Sequence, residues 1–126
     1  MIKINHVGYV VRDLQRYAAT MPGLTLEKMV EDPLQHARLA LYSVGDSAFV
    51  ELIQPYSPEA FTWGHLARSG EGMHHVCYEG LNEREVAYLM LQHRMLKVRG
   101  PLFAPLFDRH VIFGVTRNRA IVEFLL

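Results

Sequence analysis

The hydrophobic and polar positions of this chain predict two modules, each with the element order β-α-β-β-β. Residues 2–12 alternate with the period of two that is typical of a strand, so His6 and Gly8 share one face while Val7 and Tyr9 share the other. Apolar residues then recur at helical spacing after Asp13, a residue suited to an N-cap, and Pro22-Gly23 ends this helix. Further strands are predicted for residues 24–31, 37–44 and 47–54.

The second module follows a connector, residues 55–72, in which Ser57-Pro58 predicts a helix start. Strand 73–79 is followed by Asn82-Glu83-Arg84-Glu85, a capping-box pattern that predicts another helix. We expect one domain, residues 1–126, with modules 1–54 and 73–126. The remaining elements of the second module are a short edge strand at 97–100, a loop or irregular strand at 101–107, and a hairpin of strands 109–116 and 119–125 across Arg117-Asn118.

The two modules contain an internal repeat that includes histidine and glutamate. The segment Asn5-His6-Val7-Gly8-Tyr9 aligns without a gap with His74-His75-Val76-Cys77-Tyr78. The segment Phe49-Val50-Glu51-Leu52-Ile53 likewise matches Ile121-Val122-Glu123-Phe124-Leu125. One histidine in the first strand and one glutamate in the last strand therefore recur in each module, and such self-similarity is a guide to architecture.

These repeated residues have the chemistry of a metal site. Glu51 and Glu123 each lie among apolar strand neighbours, where an unpaired carboxylate is costly to bury. If a pseudo-twofold relates the modules, His6 and His75 converge with both glutamates. Two imidazoles and two carboxylates suit a divalent transition ion and leave two octahedral positions for water or substrate. Taken singly, each histidine is more typical of a structural residue and each glutamate of an outward-facing one. The recurrence of all four in two similar modules favours the metal site.

Composition and charge exclude several classes of protein. Half of the 126 residues are hydrophobic and the formal net charge is zero, which predicts a packed core and argues against nucleic acid as a partner. The single cysteine allows no internal disulfide and fits a reducing cytoplasm. The pattern at Met1 predicts no signal peptide, and no apolar run approaches the roughly 20 residues of a membrane span.

Three segments together resemble the vicinal oxygen chelate superfamily, which includes glyoxalase I, methylmalonyl-CoA epimerase, extradiol dioxygenases and bleomycin-type resistance proteins. They are Ile4–Leu14, Val50–Pro55 and Gly70–Val76. The second and third, with Val30–Leu39, are similar to methylmalonyl-CoA epimerase in particular. After Leu96 the His-Pro-Lys and glycine-pair pattern of the epimerases is absent, and the chain has Phe113–Ala120 there instead.

The resemblance implies an α+β, glyoxalase-like fold in which two βαβββ modules form a curved mixed sheet. It implies metal ligands at His6, Glu51, His75 and Glu123, holding a divalent ion such as Zn, Ni, Co, Mn or Fe. It also implies a small-molecule substrate, with an acyl-CoA or a thiol adduct as the candidate classes, and a homodimer. It leaves open whether the site forms within one chain or across a dimer interface.

We hypothesise that these ligands support proton transfer at a carbon next to a carbonyl, as in an isomerase or a lyase. Glu123 is the candidate general base, and Glu51 or Glu31 is the candidate for returning a proton. Gln35 is a candidate for orienting the substrate, and Cys77 is expected to share the face of His75 and to fill space. Basic residues of the second module are candidates for contact with an anionic group: Arg99, Arg109, Arg117 and Arg119.

Two other functions remain open. A binding protein of the resistance type would sequester a small molecule in the same cavity without metal, although such relatives usually lack the complete His/Glu set. A ring-cleaving dioxygenase would need two histidines and one glutamate on iron. Such enzymes are usually longer, and a fourth protein ligand would occupy a position that oxygen needs, so this alternative ranks last. Analysis of the metal content separates the first alternative from an enzyme.

Overall fold

The computed structural model describes residues 1–126 and contains eight strands and three helices, which confirms the α+β class. The strands occur in the order β2-β3-β4-β1-β5-β8-β7-β6 with parallel and antiparallel neighbours, so the sheet is mixed as expected. None of the helices has the length and apolar content needed to span a bilayer. The elements are β1 (Lys3–Val10), α1 (Leu14–Ala18), β2 (Leu24–Asp32), β3 (Ala37–Val44), β4 (Ala48–Pro55), α2 (Phe61–Ser69), β5 (Gly72–Glu79), α3 (Glu83–Gln92), β6 (Leu96–Ala104), β7 (Arg109–Val115) and β8 (Ile121–Leu125).

The chain divides into two compact units. The first unit consists of His6–His74, and the second of Met1–Asn5 together with His75–Leu126. In the first unit β1 runs parallel to β4, and β3 pairs antiparallel with both β4 and β2. One face of these strands packs under α1 through a buried cluster: Val11, Leu14, Ala40, Tyr42 and Leu52. The opposite face therefore carries the residues that alternate with this cluster.

Helix α1 begins as predicted and ends earlier. Asp13 caps it, because its Oδ1 accepts the Arg16 N–H at 2.8 Å. The helix stops at Ala18, three residues before the predicted end at Met21. Thr20 and Met21 continue in turns whose N–H groups bond to Tyr17 and Ala18.

Helix α2 begins later than Ser57-Pro58 predicted. Ser57 and Pro58 form a turn in which the Ser57 Oγ accepts the Glu59 N–H at 3.1 Å. The helix itself starts at Phe61, and its N-cap, Ala60, offers no side-chain acceptor. A serine can close a local turn as readily as it caps a helix, which is why the sequence pattern misplaced the start.

The second unit repeats the arrangement of the first. Strand β5 runs parallel to β8, and β7 pairs antiparallel with β8 and β6. Helix α3 starts with the predicted capping box, in which Asn82 Oδ1 accepts the Glu85 N–H and Glu85 Oε1 accepts the Asn82 N–H. Its inner face covers a second buried cluster: Val86, Met90, Ile112, Val122 and Phe124.

Strand β6 corrects the prediction for residues 97–107. A single irregular strand covers Leu96–Ala104. The predicted edge strand 97–100 therefore continues, and of the two alternatives for 101–107, a loop or an irregular strand, the strand is present as far as Ala104. Its register with β7 shifts between Lys97 and Arg99 and again between Arg99 and Leu102. Gly100 has φ +102°, and a Cβ at this position would lie 2.5 Å from the Val111 carbonyl oxygen. The sequence predicts that a strand ends at Gly100-Pro101. In the structure the strand continues, and the absence of a side chain at Gly100 permits close approach of β6 and β7.

The turns between β2 and β3 and between β6 and β7 extend the internal repeat. The first is Asp32-Pro33-Leu34-Gln35-His36 and the second is Ala104-Pro105-Leu106-Phe107-Asp108. The last residue of each turn has a left-handed conformation, with φ +51° at His36 and +54° at Asp108. This similarity was not found in the sequence, because only proline and leucine are shared.

Glu79 joins the amino-terminal residues to the carboxyl terminus of the second unit. Its Oε2 accepts the Asn5 side-chain N–H at 2.8 Å, and its Oε1 accepts from Arg109 at 3.2 Å. Arg109 also donates to the carbonyl oxygens of Leu126 and Leu125 at 2.7 and 3.3 Å. Its guanidinium group therefore has a structural role, holding the carboxyl-terminal residues. The hydrogen bond from Asn5, followed by the bond from Arg109, lowers the pKa of Glu79 despite its burial.

We predict that Glu79→Gln destabilises the protein in a pH-dependent way. A carboxylate with a lowered folded-state pKa stabilises the fold above its unfolded pKa, and this contribution is lost as pH falls. The substitution should cost about 1–2 kcal/mol at pH 7 and less at pH 4, measured by urea unfolding. Asp46→Asn, in an exposed turn, is the control. A cost that does not change between the two pH values would contradict this account.

Candidate metal centre

His6 and Glu51 meet because of the register between β1 and β4. Gly8 lies opposite Glu51 in this parallel pair, and His6 precedes Gly8 by two residues on the same face. The His6 Nε2 lies 3.2 Å from Glu51 Oε1, and the two side chains are 0% and 4% exposed. Gly8 adds no side chain at this point, so the imidazole and the carboxylate face each other directly.

His75 and Glu123 form the same arrangement on β5 and β8. Here Cys77 lies opposite Glu123, again two residues after the histidine. The His75 Nε2 lies 3.1 Å from Glu123 Oε1, with the side chains 0% and 2% exposed. The ring of Phe113 meets the His75 imidazole edge to face at a centroid distance of 5.8 Å. The repeat seen in the sequence is thus a repeat of strand register and of side-chain pairing.

All four predicted ligands belong to one buried group. Each offers a nitrogen or carboxylate oxygen, and these ligand atoms all lie within 4.8 Å of one another. Two carboxylates buried together are costly unless a cation or a proton offsets their charge. Imidazole nitrogen and carboxylate oxygen are ligands that a divalent transition ion accepts, so the residues present fit such an ion.

The other predicted site residues are placed differently. Glu31 lies on β2 with a side chain that is 66% exposed, and it pairs with Arg38 at 3.1 Å. His74 faces away from His75, as strand alternation predicted, and its ring meets those of Phe61 and His65 on α2. Cys77 is fully buried, in agreement with its predicted packing role.

Asp32 is a buried acid that the sequence reading missed. Its carboxylate is 0% exposed and accepts from the backbone N–H groups of Leu34 and Gln35 at 3.0 and 3.2 Å. Burial raises the pKa of Asp32 in spite of these bonds, and the negative charge of Glu51 adds to the increase. In the sequence Asp32 lies just beyond the predicted strand 24–31, and no local pattern marks it as buried.

The model of the glyoxalase/bleomycin resistance protein/dioxygenase superfamily matches residues 5–99, which include His6, Glu51 and His75. Glu123 lies beyond the matched segment. No curated protein sequence matches this chain.

Solved structures similar to this chain share its fold at low sequence identity. A hypothetical protein from Bacillus halodurans C-125 has a TM-score of 0.85 at 21% identity, over 98% of this chain and 93% of its own. Methylmalonyl-CoA epimerase from Mycobacterium tuberculosis has a TM-score of 0.83 at 18% identity, over 97% and 85%. A variant of the Streptomyces coelicolor epimerase in complex with 2-nitronate-propionyl-CoA has a TM-score of 0.82 at 18% identity, over 98% and 95%. These matches confirm the glyoxalase-like fold.

We predict that Asp32→Asn changes the pH dependence of stability. A carboxyl group with a raised folded-state pKa favours the fold below its unfolded value near 3.8, and that advantage is lost as pH rises through the folded-state pKa. The variant should therefore gain stability relative to the wild type as pH increases from 4 to 7, measured by denaturant unfolding at each pH. A difference that is constant over this range would show that Asp32 titrates as it does in the unfolded chain.

Proposed function

Because this chain belongs to the glyoxalase/bleomycin resistance protein/dioxygenase superfamily, we propose that it is a divalent-metal-dependent enzyme of the vicinal oxygen chelate type. The reaction that we propose is abstraction of a proton next to a carbonyl, in an isomerase or a glyoxalase-type lyase. The observation that carries this proposal is the buried group of two imidazoles and two carboxylates. The chain would act as a single glyoxalase-like domain.

The metal would be held by His6, Glu51, His75 and Glu123. When bound, a divalent ion supplies Lewis acidity that stabilises negative charge on a substrate carbonyl oxygen, an effect of several kcal/mol. Zn, Ni, Co, Mn and Fe all accept this ligand set. The two carboxylates match the charge of a divalent ion.

Glu123 is the general base in this proposal. Its carboxylate is 2% exposed, and Phe113 on β7 and Cys77 on β5 lie opposite it in the strand register. This apolar surrounding excludes water from the transferred proton. Glu51 would return a proton in an isomerisation. Glu31 stays a prediction for that step. Its side chain is exposed and paired with Arg38, which does not support a role in proton transfer.

The proposed substrate is a small carbonyl compound attached to sulfur, either an acyl-CoA thioester or a thiol adduct. Structural neighbours of this fold include epimerases in complex with methylmalonyl-CoA and with a propionyl-CoA analogue. Both substrate classes place a carbonyl oxygen and an acidic C–H group side by side. The proposed oligomer is a homodimer, supported by the exposed apolar side chains of Leu26 and Met29 on β2, a terminal strand of the sheet.

We predict that the protein binds one divalent ion per chain and that His6→Asn weakens this binding. Loss of a ligand should reduce affinity at least as much as loss of an outer hydrogen-bond partner, which costs about 10–100-fold. Metal content after reconstitution with Zn²⁺, Ni²⁺, Co²⁺, Mn²⁺ or Fe²⁺ is measured by plasma mass spectrometry, and affinity by calorimetry.

His93→Ala is the matched control for this experiment, because His93 is exposed at the end of α3. Circular dichroism verifies that both variants are folded. A wild-type protein that takes up none of the five ions would overturn the proposal and would favour the alternative of a metal-free binding protein.

We predict that Glu123→Gln abolishes proton abstraction while the ion is retained. The amide oxygen remains a ligand but cannot take a proton, so the rate should fall about 10²–10⁴-fold. Exchange of the substrate C–H for deuterium is followed by NMR with methylglyoxal-thiol adducts and branched acyl-CoA thioesters. Glu31→Gln is the comparison variant. Turnover that survives in the metal-loaded Glu123→Gln protein would remove Glu123 from the role of base.

A further inference from the structure

A buried carboxyl-amide pair lies on the same sheet face as Glu51. In the strand register Asp32 is opposite Ala37, and Ala37 is opposite Pro55. Directly opposed residues share a face, and Pro55 lies four residues after Glu51 on β4, so Asp32 and Glu51 share that face. The Gln35 Nε2 lies 2.9 Å from Asp32 Oδ2 and donates to it.

The Gln35 side chain is left with unused hydrogen-bonding capacity. The residue is 4% exposed, and its side chain makes a single hydrogen bond, the one to Asp32. A carboxamide has two donor hydrogens and an acceptor oxygen, so one N–H and the Oε1 have no protein partner. The Oε1 keeps some contact with solvent, so a ligand that reaches this side chain can supply the missing partners.

The turn itself does not require these two side chains. The equivalent turn of the second unit has Ala104 in place of Asp32 and Phe107 in place of Gln35. It closes with a backbone bond from the Phe107 N–H to the Ala104 carbonyl at 3.1 Å and ends in the same left-handed conformation. The acid and the amide thus occur in only one of two turns that have the same backbone ending.

We propose that Asp32 and Gln35 form the recognition element for a secondary amide of the substrate, with Asp32 holding the Gln35 carboxamide in place. A carboxamide is complementary to an amide group, because each offers an N–H donor and a carbonyl acceptor. The ligand class is a thioester or thiol adduct whose carrier has an amide a few bonds from the sulfur. This inference rests on the proposed function and deepens it. Coenzyme A and glutathione both have such an amide.

The test uses small thioester ligands that differ in one atom. Calorimetry compares S-propionyl-N-acetylcysteamine with the analogue in which an ester oxygen replaces the amide N–H, using protein reconstituted with the metal. We expect the wild type to bind the amide ligand about tenfold more tightly, the scale of one or two neutral hydrogen bonds. In Gln35→Met this preference should disappear, and in Asp32→Asn it should be reduced. Propionyl-CoA and S-propionylglutathione then identify the carrier.

Gln15→Met is the matched control, since Gln15 is an exposed glutamine on α1. It should keep the wild-type preference. Equal affinities of the wild type for the two small ligands, or no binding of either, would overturn the inference even if the Gln35 variant failed to fold.

Deuterium exchange at the propionyl C–H group separates this inference from the proposed function. Exchange without a preference for the amide would overturn the recognition element and leave the enzyme. A preference that depends on Gln35, without exchange, would support the recognition element and remove the proposed reaction.

Discussion

The candidate centre depends on the burial of carboxylates beside imidazoles. Glu51 and Glu123 are almost inaccessible to solvent, and each has a histidine nitrogen within 3.2 Å. An isolated carboxylate in such a position would be destabilising, because burial removes the water that solvates its charge. Parallel pairing of the first and last strands of each module fixes the distance, since the glutamate lies opposite the residue two positions after the histidine. A shift of one residue would turn each carboxylate to the helix-covered face and break both pairs.

Strand alternation explains why the same strands can form both a core and the face that carries the candidate metal ligands. In the first unit, Leu52 packs under α1 while its neighbour Glu51 points to the opposite side. In the second unit, Val122 and Phe124 pack under α3 while Glu123 between them points away from it. Each helix therefore stabilises the strand that carries a candidate ligand, and it packs on the opposite face from that side chain. Because successive side chains of a strand point to opposite faces, one residue can pack in the core while the next carries a polar group on the other face.

The predictable part of this molecule is the part that the repeat encodes. His6 and His75, with their glutamates, recur in similar sequence, and hydrophobic and polar residues alternate clearly in the strands that carry them. The sequence alone therefore predicts both histidine-glutamate pairs. Errors arose where one residue type serves two purposes. Ser57 closes a turn instead of capping a helix, and Gly100-Pro101 allows close strand approach instead of ending a strand. The burial of Asp32 is not predictable in this way, because it arises from packing in the folded sheet, which no local sequence pattern reports.

The two modules also differ at positions close to the residues that they share. Cys77 stands in the second copy where Gly8 stands in the first, and Phe107 stands where Gln35 does. Each histidine-glutamate pair tolerates little change, because removing one member leaves a buried polar group without a partner. The neighbouring positions carry no such penalty, since the Pro-Leu turn forms with either a polar or an apolar residue. Under the proposed function, duplication followed by divergence at these positions would keep one chemistry and vary the compound that it acts on.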